Sequence, residues 1–325
     1  MRRRRYVDES GSRLFEPVLQ PPPQGVPIKR IKGYLWSVHK AHLIQCYLDF
    51  FVYITKCGTY IDGFAGPQDP ERLDCWSAKR VLESQVRPKR LRNFFLFDAV
   101  PSQVEKLEAL RDGLQPLPSN LRRRVEVTQG DFNDAVVDFL NKGEIPIEPT
   151  FCLLDQRTFE CRWSTVEALA SYKPEGTKIE IFYFLPIAWL DRAFSATSKE
   201  ETFRSIAEWW GREDWRSLQD MKNRDRAKLF TQRFKDLGYV DVKPWPIYSD
   251  ASSSRVMYYM IHATDHQDAP DLMRRAYERV GLHAPSSHLQ LELEFDCAVF
   301  EPPDPPTPDL PEDLFGPPED DDSQC

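Results

Sequence analysis

The chain has 325 residues, of which 41% are hydrophobic and 29% charged, as in a soluble globular protein with one large domain or two modest ones. No apolar run approaches the roughly 20 residues that span a bilayer, and the basic residues 2–5 have no apolar segment behind them. We therefore expect a cytoplasmic protein without a membrane span or secretory signal. The net charge of −8 arises in residues 301–325, which contain nine acids and no Lys or Arg. Without this segment the net charge of the chain is +1.

Composition divides the chain into three parts. Residues 1–30 contain a three-proline spacer and are predicted to form an irregular N-terminal arm. Residues 31–300 are predicted to form one α/β domain. Residues 301–325, rich in proline and acids, are predicted to be a disordered tail. The seven cysteines are scattered and form no CxxC pair, which favours a reducing cytosol over a disulfide framework and argues against a metal site.

Strands and helices are predicted to alternate along residues 31–300. Apolar residues at helical spacing predict a helix over 34–53. Further helices are predicted over 77–85, 101–110, 135–140 and 163–171, and strands over 59–62, 92–97, 124–128, 150–154, 178–185, 240–242 and 255–261. Such alternation, with nearly continuous apolar strands, predicts a doubly wound, mostly parallel, seven-stranded Rossmann-like sheet. Residues 191–237 are predicted to be a helical insertion after strand five.

Four acids follow successive predicted strands. Asp62, Asp98 and Asp155 come directly after strands, and Asp131 comes one loop residue later. Ligands of doubly wound sheets bind at the carboxyl ends of the strands. Two glycines in the loop of residues 60–67 permit a tight turn and close approach of a ligand. An acid beside them suits a nucleoside cofactor that carries an amine, of which S-adenosylmethionine is the commonest.

Each part of such a cofactor has a candidate partner. Asp62 suits the amine or a bridging water, whereas Gly63, Phe64 and Gly66 form the loop that approaches the ligand. The two carboxylate oxygens of Asp98 suit the ribose hydroxyls.

Asp131 suits the adenine amine, with Phe132 stacking on the ring. Lys40 suits the cofactor carboxylate, although a solvated lysine is an equal alternative. The chain contains neither GxGxxG nor a P-loop, which argues against a dinucleotide or nucleoside triphosphate.

The order of these motifs resembles that of the three-Cys-motif partner family, whose members have a class I methyltransferase-like fold. The matching segments cover roughly residues 38–280: residues 40–48, 60–67, 130–133, 154–155, 163–167, 190–192, 210–215 and 258–264. The resemblance implies an S-adenosylmethionine site, a three-Cys-motif protein as partner, and a bacterial mobile-element or defence system.

The loop after the fourth strand departs from the family pattern of Asp-Pro-Phe-Gly. Here the sequence is Asp155-Gln156-Arg157-Thr158-Phe159, so the acid remains and the proline, with its fixed φ angle, is lost. Asp155 is the candidate holder of an acceptor amine, Gln156 a candidate for bonding a base edge, and Phe159 a candidate for stacking.

Two functional hypotheses follow. The first is an S-adenosylmethionine-dependent methyltransferase acting on DNA or RNA, with a base amine as acceptor. The second is a non-catalytic partner of a three-Cys-motif protein that uses the same fold. Trp209, Trp210 and Trp215 form a cluster that either stacks a base or builds a small aromatic core, the latter being favoured.

Overall fold

A computed structural model describes residues 28–69, 71–84, 91–114, 123–195, 200–248 and 256–280. The predicted tail of residues 301–325 and nearly all of the arm of residues 1–30 lie outside the described residues. Those described form one sheet between two layers of helices, so the α/β class is confirmed.

The sheet has seven strands in the order β3-β2-β1-β4-β5-β7-β6. The strands are β1 Gly58–Asp62, β2 Leu91–Asp98, β3 Arg124–Gln129, β4 Thr150–Leu154, β5 Glu180–Leu185, β6 Asp241–Tyr248 and β7 Val256–Thr264. The first five run parallel, while β7 lies antiparallel to both β5 and β6. Because the chain winds outward in both directions from β1 and β4, the crevice beside these two strands is the topological switch point.

The predicted helices are present, but several of their ends differ from the prediction: α1 begins at 28 instead of 34, and α2 ends at 82 instead of 85. They are α1 Ile28–Thr55, α2 Ser77–Leu82, α3 Pro101–Asp112, α4 Phe132–Lys142, α5 Trp163–Tyr172, α6 Ile187–Ser195, α7 Glu200–Trp210, α8 Asn223–Asp236 and α9 Ala269–Arg279. The helical insertion thus begins at Ile187, and α9 was not predicted. None of the helices in the described ranges is both long and apolar enough to cross a membrane.

Alternating side chains of the strands fill two separate cores. In β2, Phe94 and Leu96 pack on the side of α1, α2, α3 and α9, whereas Phe95 and Phe97 pack on the side of α4, α5 and the insertion. Successive residues of a strand point to opposite faces, so a strand buried on both faces must be apolar throughout. This explains the continuous apolar runs that identified the strands in the sequence.

A buried polar network fixes α1 against the sheet. The Tyr47 hydroxyl donates to Glu180, which also accepts from Thr264 Oγ1 at 3.0 Å and lies 2.9 Å from His262 Nε2. Glu180 is on β5, and the other two are on β7. Since Lys40 lies seven residues before Tyr47, it occupies the same face of α1 and is directed at the sheet.

The cysteines are not all reduced. Cys57, just before β1, takes part in a disulfide, which the scattered spacing of the thiols did not predict. Cys46, Cys75, Cys152 and Cys161 are free. Burial raises the pKa of the Cys46 thiol to about 11, so this thiol is a poor nucleophile at neutral pH.

Candidate functional site

A cavity of about 340 Å³, here called the main cavity, opens at the carboxyl edge of the parallel strands. Its acidic lining residues include Asp98, Asp131 and Asp155. Asp62 instead lines an adjoining annex of about 10 Å³, which shares Phe64, Gln68 and Asp155 with the main cavity. The topology therefore brings all four acids predicted from the sequence to one edge of the sheet, around two spaces that share lining residues.

Asp62 is a buried carboxylate at the end of β1. It is 1% exposed, and it accepts hydrogen bonds from the Tyr60 hydroxyl at 2.8 Å and from the Phe64 amide at 3.2 Å. Within the described ranges no cation forms an ion pair with it. Burial raises the pKa of its carboxyl from the ordinary 3.8 to about 7, against the opposing effect of the bond from Tyr60.

Replacing Asp62 by Asn is expected to flatten the dependence of stability on pH. Because the raised pKa makes the folded chain bind more protons than the unfolded chain between 3.8 and about 7, the free energy of unfolding falls as pH rises through this range. Urea denaturation at about pH 5 and about pH 8 should show a smaller fall for Asp62→Asn than for the wild type. Asp138→Asn, exposed on α4, serves as the control and should keep the wild-type fall. Equal falls in all three proteins would contradict the assignment.

The two glycines of the first loop make room for protein side chains. A Cβ on Gly63 would lie 2.7 Å from the Phe132 ring, and one on Gly66 would lie 2.6 Å from Gln103 Cβ and overlap Asp98. The space that the sequence assigned to a cofactor is thus occupied here by neighbouring residues. Gly63 and Phe64 nevertheless line the main cavity, whereas Gly66 lines the annex.

Asp98 is held at the end of β2 by two backbone amides. Its Oδ2 accepts from Gly66 N at 3.0 Å, and its Oδ1 accepts from Val100 N at 2.8 Å. Each carboxylate oxygen can accept a second hydrogen bond, so both retain acceptor capacity towards a ligand. The main cavity is where such a ligand would meet Asp98.

Asp131 caps helix α4. Its Oδ1 accepts from the backbone and side-chain nitrogens of Asn133 at 2.9 and 2.7 Å. Its Oδ2 lies 3.4 Å from Arg162, and the side chain is 47% exposed. Asp131 therefore lines the main cavity with one oxygen already used in capping, and this structural use was not part of the sequence prediction.

Phe132 is 2% exposed and lies beneath the first loop. Its ring contacts Phe64 and Phe97 edge-on, with centroids 5.8 and 5.1 Å away. It contributes to the wall of the main cavity, but so little of the ring is accessible that stacking on adenine would require the loop to move.

Lys40 forms a buried ion pair with Asp155. Its Nζ lies 2.7 Å from Oδ1 and 2.6 Å from Oδ2, and the side chains are only 5% and 8% exposed. The ammonium also lies 5.5 Å from the centre of the Phe184 ring. The Lys40 ammonium is therefore paired with Asp155 and is not the solvated lysine of the alternative, whereas its contact with a cofactor carboxylate stays a prediction. The acid that was assigned to the acceptor is already neutralised by a protein cation.

Gln156 is completely buried and bonded to protein at both ends. Its Nε2 donates to Phe184 O at 3.0 Å, and its Oε1 accepts from Cys161 N at 2.8 Å. The predicted contact with a base edge is not supported, because Gln156 supplies the hydrogen bonds that fix the loop after β4. Phe159 lines the main cavity, with its ring 5.1 Å from that of Trp209.

The helical insertion closes one side of the main cavity. Ser205 and Glu208 of α7 belong to its lining. Arg162, just before α5, joins α7 to the first turn of α4, since it lies 3.5 Å from Glu208 and 2.8 Å from Asp134. The insertion is thus tied to the site by ion pairs on the rim.

The tryptophans of the insertion form its core. Trp209 and Trp210 are fully buried, and Trp215 is 7% exposed. The guanidinium of Arg233 lies between the rings of Trp163 and Trp210, 3.7 and 4.2 Å from their centres. The aromatic-core interpretation is confirmed, and stacking of a base on these rings is not available.

Three residues of the site were not singled out from the sequence. Asn133 joins two loops, because its Oδ1 accepts from Arg162 N and Thr165 Oγ1, both at 2.8 Å. Gln68 lines both spaces and donates to Asp155 O at 3.1 Å, and Ser77 lines the annex. Of these, only Asn133 had a sequence signal, in the segment Gly130-Asp131-Phe132-Asn133.

The strand order, the reversed seventh strand and the position of the main cavity define a class I methyltransferase-like fold. The chain is similar to the methyltransferase domain of bacterial CtHen1-CN, with 13% identity, a TM-score of 0.37, and coverage of 68% of this chain and 98% of that one. It is also similar to a DUF574 family protein from Streptomyces avermitilis MA-4680, with 12% identity, a TM-score of 0.40, and coverage of 76% and 94%. Likenesses this distant carry no argument about activity. No protein-family model and no curated protein matches the chain, so membership of the three-Cys-motif partner family stays a prediction.

Proposed function

We propose that this protein is an S-adenosylmethionine-dependent methyltransferase that acts on nucleic acid, with a base amine as acceptor. The observation that carries the proposal is the convergence of Asp62, Asp98, Asp131 and Asp155 on two adjoining spaces at the switch point. S-adenosylmethionine has an ammonium group for Asp62, a ribose diol for Asp98 and an adenine amine for Asp131.

The residues present fit this cofactor. Asp98 keeps acceptor capacity on both oxygens for a ribose diol, and Asp62 is a buried carboxylate that lacks a cation among the described residues. The Ser77 hydroxyl in the annex has no hydrogen-bond partner there either. A buried hydroxyl without a partner is costly, and a cationic ligand would favour the ionised form of the Asp62 carboxyl, whose pKa burial raises to about 7.

When bound, S-adenosylmethionine supplies an electrophilic methyl group on its sulfonium. The protein's part is then to bind, orient and exclude water, since positioning supplies most of the rate in such a reaction. Asp155, fixed by Lys40 and 8% exposed, is placed to accept a hydrogen bond from an acceptor N–H. Phe159 and the exposed Arg157 line the same cavity, where they suit a base and a phosphate.

Calorimetry and methyl transfer test the proposal together. S-adenosylmethionine and its demethylated product, S-adenosylhomocysteine, should both bind to the full chain. Labelled methyl groups should pass to single-stranded DNA or RNA oligonucleotides. The double variant Lys40→Met with Asp155→Asn, which leaves neither charge of the buried pair alone, should reduce transfer while leaving cofactor affinity near that of the wild type. Failure of both compounds to bind would overturn the proposal, and binding without transfer to either nucleic acid would overturn the substrate class.

A second function is favoured by one observation: Asp155 and Gln156 are both buried in the protein. The carboxylate of Asp155 is paired with Lys40, and Gln156 is 0% exposed. A non-catalytic partner of a three-Cys-motif protein needs no accessible acceptor residues, and this proposal sets the chain in a bacterial cytoplasm, as the family resemblance implies. This function would be favoured if a three-Cys-motif protein were pulled down equally by the wild type and by Asp62→Ala, and if no methyl transfer to nucleic acid were detected.

A further inference from the structure

The annex is lined by a buried carboxylate without a counter-ion and by a buried hydroxyl without a hydrogen-bond partner, both judged among the described residues. Asp62, at 1% exposure, has no ion-pair partner within the described ranges. Ser77, at 6% exposure, has a buried Oγ with no hydrogen-bond partner among the residues described. Both line the same space, although they come from β1 and from the first turn of α2. The Ser77 hydroxyl can accept a hydrogen bond in this space, and each Asp62 oxygen, which already accepts one from the protein, can accept a second.

The size and charge of the annex restrict what it can hold. Its volume of about 10 Å³ is close to what one water molecule requires. An ammonium group is similar in size and donates three hydrogen bonds. The other ionisable lining groups are Asp155, which Lys40 already neutralises, and Cys75, whose pKa is raised to about 12 by burial. Asp62 has no counter-ion among the described residues, and an ammonium group of about the size of a water molecule would favour its ionised form.

The annex is also rigidly placed beside the main cavity. Trp76 Nε1 donates to Ala65 O at 2.5 Å, which ties the residue before Ser77 to the first loop. Phe64, Gln68 and Asp155 line both spaces, so a ligand in the main cavity can extend one group into the annex. The sequence assigned Lys40 to the carboxylate at the amino-acid end of the cofactor, but its ammonium group is paired with Asp155.

We propose that Ser77 is a cofactor-binding residue and that the annex holds the α-ammonium group of the cofactor between Ser77 Oγ and the Asp62 carboxylate. This inference rests on the proposed function, which gives Asp62 as the partner of the ammonium, and adds Ser77 as a second partner of that group. Ser77 accepts one hydrogen bond from the ammonium, and Asp62 supplies the compensating charge.

Three ligands isolate the group concerned in calorimetric titrations of the full chain. S-adenosylhomocysteine has both the ammonium and the carboxylate, decarboxylated S-adenosylmethionine keeps only the ammonium, and 5′-methylthioadenosine has neither. Ser77→Ala should weaken the first two about tenfold, because a hydrogen bond to a charged group is lost, and should leave the third unchanged. The control is Ser84→Ala: Ser84 Oγ donates to Asp49 outside both spaces, and all three affinities should stay as in the wild type.

The outcomes separate the two proposals. If the wild type binds S-adenosylhomocysteine but Ser77→Ala weakens all three ligands equally or none, the inference fails and the proposed function stands. If only S-adenosylhomocysteine is weakened, the annex holds the carboxylate, and the ammonium assignment is overturned. If the wild type binds none of the three, both proposals fall. Thermal unfolding should show no loss of stability for Ser77→Ala, since the hydroxyl removed is unpaired; a loss would assign Ser77 a structural role instead.

Discussion

Replacing Lys40 by Met is expected to lower the free energy of unfolding by about 3–5 kcal/mol, because it leaves Asp155 as a buried charge without a partner. The pair is well enclosed: the side chains of Lys40 and Asp155 are 5% and 8% exposed, and the ammonium contacts both carboxylate oxygens. Urea denaturation of the wild type and of Lys40→Met measures the difference directly.

Lys79 provides the matched control for this loss. It pairs with Glu83 on α2, but the two side chains are 25% and 47% exposed, so Lys79→Met should cost less than about 1 kcal/mol. The double variant Lys40→Met with Asp155→Asn should recover much of the stability, since neither charge remains buried. If Lys40→Met costs no more than Lys79→Met, the ion pair is not what holds α1 to the loop after β4.

The alternation of strands and helices, and the gathering of the four acids at one edge of the sheet, were predictable because they follow from short-range patterns. Apolar runs such as residues 92–97 identify strands covered on both faces, and an acid after each run falls at the carboxyl edge that parallel strands share. Asp98 shows this well, since its place at the end of β2 needed only the strand boundary. The ends of the helices were less predictable: α4 begins at Phe132 because Asp131 caps it, and the sequence prediction began it at residue 135.

The partners of the site residues were not predictable, because they are set by contacts between distant parts of the chain. Lys40 and Asp155 are 115 residues apart, and only the packing of α1 across the sheet brings them together. Gln156 looked available for a ligand, but it satisfies Phe184 O and Cys161 N, which a buried loop cannot leave unpaired. Ser77 could not be singled out from the sequence, because what distinguishes it is a buried hydroxyl without a hydrogen-bond partner among the described residues.

Asp98→Asn is expected to weaken the binding of S-adenosylhomocysteine about 100-fold or more. An amide keeps the shape of the carboxylate but has one acceptor atom, so its NH₂ group must face either Gly66 N–H or Val100 N–H. The substitution also removes the negative charge that strengthens hydrogen bonds from a ribose diol, each worth about 1.5–3 kcal/mol. Calorimetric titration measures the loss.

Asp131→Asn is the matched comparison, because Asn is as good a helix cap as Asp and Asp131 is 47% exposed. We expect it to weaken binding less than about tenfold, since it alters only one contact to adenine and that contact is exposed to solvent. A loss as large as that of Asp98→Asn would indicate that the main polar contact to the cofactor comes from Asp131, after the third strand, and not from Asp98.

A ligand without the ribose 2′-hydroxyl shows whether Asp98 acts directly or only through the first loop. The wild type should bind 2′-deoxy-S-adenosylhomocysteine about tenfold more weakly than the parent compound, because one hydrogen bond to the carboxylate is absent. In Asp98→Asn this difference should largely disappear, since the partner of the missing hydroxyl is altered as well. If the variant weakened both ligands by the same factor, Asp98 would shape the loop through Gly66 and Val100 without touching the ribose, and the site would have to bind the diol through other groups.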